Sequence, residues 1–176
     1  MRLGKGKLSV LFLLLTLQSC FIQPGGSKPR KYSNLVFTAK VIRILDGDTM
    51  EVLYQNQPLK IRLAHIDCPE KRGKQPFGNQ AKKALSDLCF GQMVNVQSQK
   101  YDRYRRLIAV VINRKKQVVN QEMIKQGMAW HFKKYSSDSL YAQLEITARK
   151  NKIGLWQEQN AIAPWAWRES KHSLSK

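Results

Sequence analysis

Between residues 35 and 113 the apolar residues change period twice, and few architectures accommodate that order. Residues 35–45, LVFTAKVIRIL, are rich in β-branched side chains, and MEVLY (50–54) continues in the same character. After the turn sequence QNQP, residues 59–66 alternate. Leu59, Ile61 and Leu63 face one side of a strand while Lys60 and Arg62 face the other. From Gly78 to Phe90 the spacing becomes helical, with Ala81, Ala84, Leu85, Leu88 and Cys89 in one stripe and Gly91 as the stop. Residues 93–99 and 105–113 return to strand character. Two helices are expected beyond them: one capped by Asn120 and ending at Gly127, and one capped by Ser136 or Ser137 and ending before Gly154. The second should turn Leu140, Tyr141, Leu144 and Ala148 inward. Three strands, a helix, two strands and two helices predict an α+β chain. The expected architecture is a five-stranded Greek-key barrel of the OB type with about three helices packed outside, which commonly binds nucleic acid.

At 176 residues the chain fits one domain with one core, and 43% hydrophobic content describes a globular protein, not a disordered one. The charge is unusual. Lys and Arg number 31 against 12 Asp and Glu, a net +19, which predicts a polyanionic partner, nucleic acid or an anionic membrane surface, bound in a salt-sensitive way. Against that background, five of the 12 acids (Asp46, Asp48, Glu51, Asp67 and Glu70) fall between positions 46 and 70.

Residues 1–19 combine a basic start, MRLGKGK, with an apolar run at 8–17 too short to span a bilayer, the pattern of a signal peptide. The following LQSC resembles the lipobox of bacterial lipoproteins. That resemblance implies lipidation of Cys20 and anchoring to the bacterial cell envelope, with plain secretion as the alternative. Residues 20–34, CFIQPGGSKPRKYSN, lack an apolar period and are expected to form a flexible lipid-anchored tether. A folded domain is expected over 35–168 and a basic tail over 169–176, with no internal repeat. Export would place the two further cysteines, Cys68 and Cys89, outside the cytoplasm, where a disulfide is chemically allowed. Cys89 lies on an apolar helical face, where a buried free thiol is common, and the sequence leaves the pairing open.

The acids are placed for chemistry. Asp48 begins one strand and Asp67 follows the end of another, and the turn at QNQP pairs those strands so that both carboxylates reach one end of the sheet. Pro69 holds Cys68 extended and bends the chain so that Glu70 points back. Two carboxylates, a backbone carbonyl and waters make an all-oxygen site suited to Ca²⁺. No Cys-x-x-Cys or paired-His spacing offers zinc. Taken alone, DGDT reads as a turn, since Asp and Gly favour turns. Arg62 and Arg106 shift the balance, because two guanidinium forks beside a cation suit a phosphodiester.

VIRILDGDT, IRLAHIDCPE, DRYRR, NQEMIKQGMA and KIGLW occur in the order found in staphylococcal nuclease and its relatives, and the similarity runs from about Val36 to Trp156. PWAWR (164–168) resembles the tail of bacterial secreted members. The resemblance implies an OB-fold barrel with three helices that uses Ca²⁺ to hydrolyse DNA and RNA, leaving 3′-phosphates. Asp48, Asp67 and the Cys68 carbonyl would be the metal ligands, Glu70 the group that activates water, and Arg62 and Arg106 the phosphate-holding catalytic arginines. Tyr135 matches a base-stacking tyrosine, while Lys133 stands where a second would be. Cys68 replaces the family Thr, and Arg105 replaces a Gly, altering backbone geometry or adding a substrate contact. The loop from Lys71 to Pro76 is shorter than in staphylococcal nuclease.

His65 and His131 are expected to be structural. Trp156, Trp165 and Trp167 are expected to pack the C-terminal segment onto the barrel, with Trp130 open between packing and base stacking. Asp102 is expected to shape the turn before Arg106. The partners predicted are DNA and RNA, bound by a monomer held to a membrane through Cys20. A catalytically inactive nucleic-acid-binding barrel and a lipid-anchored polyanion binder are the rival functions; the second leaves the acid cluster unexplained.

Overall fold

Alternation along the first strand, interrupted once, lets the sheet close. In the computed structural model, which describes residues 31–72 and 74–173, β1 (Val36–Asp46) turns Phe37, Ala39 and Val41 inward. A register shift between Val41 and Arg43 then resets the phase so that Ile44 also faces the core. Such a bulge bends and coils a strand, and β1 accordingly pairs with β2 (Thr49–Tyr54) along one edge and β5 (Met93–Tyr101) along the other. β2 and β3 (Gln57–Leu63) form a hairpin whose two turn residues, Gln55 and Asn56, both take left-handed φ (49° and 57°). The turn is therefore tighter than QNQP implied, and Pro58 is already in the strand opposite Leu53. β6 (Leu107–Ile112) pairs antiparallel with β5 and parallel with β3, closing a barrel in the order β1-β2-β3-β6-β5. This is the five-stranded OB topology. Val41, Met50, Val52, Ile61, Val96 and Val111 are fully buried within its core.

The expected strand 59–66 breaks in two. β3 ends at Leu63, His65 takes a left-handed φ of 68°, and β4 (Ile66–Asp67) leaves the barrel to pair with β7 (Trp130–His131). Asn120 explains where the barrel ends. It does not cap a helix. It lies fully buried in the first turn of α2 (Val119–Lys125), where its amide accepts from the Val111 N–H and donates to the Ala64 and Ala109 carbonyls (2.9, 3.0 and 3.1 Å). Buried backbone groups at a sheet end require such partners.

α1 (Gly78–Cys89) lays Ala81, Leu85 and Cys89 on the barrel. α3 (Ser139–Lys150) is capped by Asp138, whose carboxylate accepts the Leu140 N–H at 2.9 Å, and not by Ser136 or Ser137. Ser136 instead joins two imidazoles, its hydroxyl lying 2.8 Å from His65 Nδ1 and 3.0 Å from His131 Nε2. Burial pulls both rings below their ordinary range, so neutral imidazoles share the hydroxyl, as suits a structural pair. Leu140, expected inside, is exposed, and Glu145 takes an inward position, bonded to Arg149. Cys68 and Cys89 are both free and buried.

Two boundaries move. Tyr32, assigned to the tether, is buried against Phe37 and Tyr54, so ordered packing starts before Leu35. Residues 169–173, assigned to the tail, continue α4 (Pro164–Ser173), a fourth helix. A second apolar cluster of Trp130, Trp156, Leu155, Ala148 and Trp165 connects this C-terminal segment to the barrel. The expected signal peptide, Cys20 and the tether up to residue 30 lie outside the described residues.

Candidate active site

Hairpin pairing sets Thr49 opposite Arg62, and the Leu63 N–H donates to the Asp48 carbonyl at 2.9 Å. Asp48 thus sits at the rim of the barrel where β3 departs for β4. Gly47 is required there by space. A Cβ at this position would meet Ala81 Cβ at 2.7 Å and Cys68 Cβ at 2.8 Å. The close approach lets Asp48 Oδ2 accept the Cys68 N–H at 2.9 Å, while Oδ1 accepts the Thr49 hydroxyl at 2.9 Å.

Arg62 lies between the two expected metal ligands. Its Nη1 is 3.0 Å from Asp48 Oδ2 and its Nη2 is 2.7 Å from Asp67 Oδ1. Nη1 also donates to the Ile66 carbonyl at 3.0 Å. Alternation put Arg62 on the polar face of β3, and there the side chain is buried, its Nη1 bonded to the Ile66 carbonyl of β4. A buried cation demands such complete pairing.

Glu70 lies in the loop leading to α1, and its backbone is fixed on several sides. Its N–H donates to Gln75 Oε1 (3.0 Å), its carbonyl accepts the Gln75 N–H (3.1 Å), and Gly78 presses so close that a Cβ would meet that carbonyl at 2.8 Å. Gln75 also donates from Nε2 to the Ile162 carbonyl at 2.8 Å, stapling the loop to the C-terminal segment. From that segment comes a residue the sequence reading missed. Arg168 on α4 donates to Asp67 Oδ2 at 2.6 Å and Glu70 Oε1 at 2.5 Å. Its one sequence signal was position within PWAWR, where aromatic neighbours pointed to packing alone.

Arg106 is held at the same rim. Asp102 accepts the Tyr104 and Arg106 N–H groups (2.8 and 2.9 Å) and the Arg106 Nε (2.7 Å), so it shapes this turn. Arg106 Nη1 reaches Thr49 Oγ1 at 3.4 Å, next to Asp48. Arg105 takes a left-handed φ of 60°, a conformation that glycine adopts freely. Its side chain is exposed, as are those of Lys133 and Tyr135, and none of the three bonds to the acid cluster. Tyr135 packs edge-on against Phe132, which stacks on Trp165 of α4 at 5.4 Å.

Four of the five clustered acids converge. Glu51 leaves the group, paired with Arg43 at 2.6 Å. The Asp46 carboxyl is raised, first by burial and then by Asp48 and Glu70. Burial also pushes Asp67 up to about 6, opposed by Arg62 and Arg168. Among the described residues, no three acidic, His or Cys side chains form a ready-made metal cage, and arginines stand between the acids. The donors nevertheless fit a hard cation. Oxygens of Asp48 and Asp67 already bracket one positive group, and burial raises the Cys68 thiol well above its ordinary value, leaving oxygen as the chemistry on offer.

A closed five-stranded OB barrel with acids and arginines gathered at one rim defines the class of fold and site. Residues 60–158 match the family model described as staphylococcal nuclease homologue. The chain is 46% identical over 135 residues to an uncharacterized endonuclease of Haemophilus influenzae, covering 76% of this chain and 74% of that one. It is 39% identical over 149 residues to a micrococcal nuclease of Shigella flexneri, covering 79% and 84%. A staphylococcal-like nuclease of Arabidopsis thaliana is 34% identical over 129 residues, 73% of this chain and 38% of that protein. The chain belongs to the staphylococcal nuclease family.

Proposed function

We propose that the protein is a Ca²⁺-dependent nuclease that hydrolyses phosphodiesters of DNA and RNA and leaves 3′-phosphates. The observation that carries this reading is the convergence of Asp48, Asp67 and Glu70 with Arg62 and Arg106 at one barrel rim. Family membership supports the reaction class.

Asp48, Asp67 and the Cys68 carbonyl are the residues that would hold Ca²⁺. When bound, the ion supplies Lewis acidity that offsets charge on the phosphate. Glu70 takes a proton from water as its oxygen bonds to phosphorus in line with the 5′-oxygen, which leaves and is protonated. Arg62 and Arg106 donate to the non-bridging oxygens, where charge accumulates. Lys133, Arg105 and Tyr135 lie exposed to meet flanking phosphates and bases, and the large excess of Lys and Arg over Asp and Glu draws the polymer in.

The test is cleavage of DNA and RNA by the purified protein in Ca²⁺, Mg²⁺ and excess chelator. Activity should be high in Ca²⁺, weaker in Mg²⁺, which demands a tighter octahedron, and absent in chelator. Glu70→Ala should lose about 10²–10⁴-fold in single-turnover rate, the usual loss for a general base, while DNA binding holds or tightens. Full activity in chelator overturns the metal assignment.

A further inference from the structure

We propose that Arg168 is a positioning residue of this active site: from α4, outside the barrel, it sets the carboxylates of Glu70 and Asp67. The inference rests on the nuclease reading above and adds to it a third arginine and a fourth helix.

Three observations carry it. First, the Glu70 backbone is fixed by Gln75 and Gly78, but its carboxylate is not. Among the described residues, the side chain bonded to that carboxylate is Arg168. Second, one guanidinium spans both acids, with Nη2 on Asp67 Oδ2 at 2.6 Å and Nη1 on Glu70 Oε1 at 2.5 Å. A planar fork fixes the relative orientation of two carboxylates in a way a point charge does not. Third, Arg168 is carried by a docked element. Trp165, three residues earlier, stacks on Phe132 with 6° between ring planes and meets Trp130 edge-on. Gln75 ties the Glu70 loop to Ile162, two residues before α4 begins. Loop and helix are therefore held in register, and Arg168 reaches across the one remaining gap.

Electrostatics gives the contact its direction. Asp46 and Glu70 repel each other as like charges, and a cation bonded to the Glu70 carboxylate offsets that repulsion. Arg168, its side chain 39% exposed, holds that carboxylate at the rim, where an attacking water must be met. The same guanidinium opposes a second cation. Removing it should slow the chemistry while tightening metal binding.

Wild type, Arg168→Ala and Arg168→Lys are compared by single-turnover cleavage of DNA at saturating Ca²⁺, calorimetric Ca²⁺ titration without DNA, and thermal melting. Arg168→Ala should lose about 10–100-fold in rate, the usual loss on removing a group that orients a reactive one, and bind Ca²⁺ more tightly. Arg168→Lys keeps the charge and the stem and should recover only part of the rate. A rate for Arg168→Ala within twofold of wild type, or above it, overturns the proposal and makes the contact a removable latch. If Arg168→Ala melts early, Arg168→Lys decides: a wild-type rate there shows that charge alone suffices and also overturns it. A wild type that binds no Ca²⁺ and cleaves nothing fails the nuclease reading itself, a distinct result.

Discussion

Gly47→Ala separates two explanations of the DGDT motif. If the glycine only eased a turn, alanine would be tolerated, because Gly47 is not among the residues with positive φ. Packing says otherwise. The new methyl would stand 2.7 Å from Ala81 Cβ and 2.8 Å from Cys68 Cβ, whereas comfortable carbon contacts lie at about 3.5–4.0 Å. Something must move by about 1 Å. Both neighbours are buried, but Ala81 is fixed within α1 while Cys68 lies past the end of β4, so Cys68 yields more readily, and with it the bond from its N–H to Asp48. Overpacking of this kind costs about 1–3 kcal/mol, and a lost buried hydrogen bond adds about 1 kcal/mol. Urea unfolding in chelator should therefore show a loss of about 2–4 kcal/mol. Misplacing Asp48 and Cys68 by that distance should also slow single-turnover cleavage about 10²-fold in the folded variant. A variant within about 0.5 kcal/mol of wild type, the range of an unremarkable surface change, would refute the close-packing argument.

Arg106→Ala should lower both cleavage rate and DNA affinity, and Arg106→Lys should recover little of the rate, since an ammonium lacks the two-pronged contact; equal rates in filter-binding-matched assays would make Arg106 a bystander. Burial raises the Asp67 carboxyl from 3.8 to about 6 in the metal-free protein, so its contribution to metal-free stability is full below 3.8 and lost as pH rises through about 6. Ca²⁺ needs the ionised form, and the Ca²⁺-induced rise in melting temperature should therefore grow between about pH 5 and pH 7; a pH-independent rise contradicts this. Arg105→Gly removes a left-handed conformation worth about 1–2 kcal/mol but adds about 0.5–1 kcal/mol of unfolded-chain entropy. Urea unfolding should show a small net gain, and the salt dependence of DNA binding should fall by about one phosphate contact. Cys20→Ser should abolish lipid labelling and membrane fractionation, and a wild type recovered as an unlabelled soluble form would overturn the anchor.

What was legible in the sequence follows from the range of each signal. The β2–β3 hairpin, the stripe of α1 and the strand character of 93–99 and 105–113 rest on contacts a few residues apart, and periodicity records them directly. The acid cluster was legible for another reason: carboxylates are scarce here, and scarce charges concentrated in 25 residues stand out. Asn120 misled because the same amide that caps helices also satisfies buried carbonyls, and only the closed barrel reveals which carbonyls need it. The face of Arg62 was legible from alternation, but its burial was not, because alternation assigns a face and not what later folds across it. Arg168 was illegible by distance, joining Asp67 across 101 positions and Glu70 across 98.

A basic protein that gathers its few acids must also find a way to fold with them. Like charges about 4 Å apart repel by about 4 kcal/mol at an effective dielectric near 20, comparable with the whole stability of a small domain. That repulsion is offset by arginines drawn from separate elements, Arg62 from β3 and Arg168 from α4, with Arg106 anchored nearby by Asp102. These are also the groups suited to non-bridging phosphate oxygens. Under the proposed function, the acids need the arginines most when no metal is present, and the phosphate needs them most when it is. One set of guanidiniums then stabilises the resting site and serves the substrate, and the excess positive charge over the remaining surface brings that substrate to the rim.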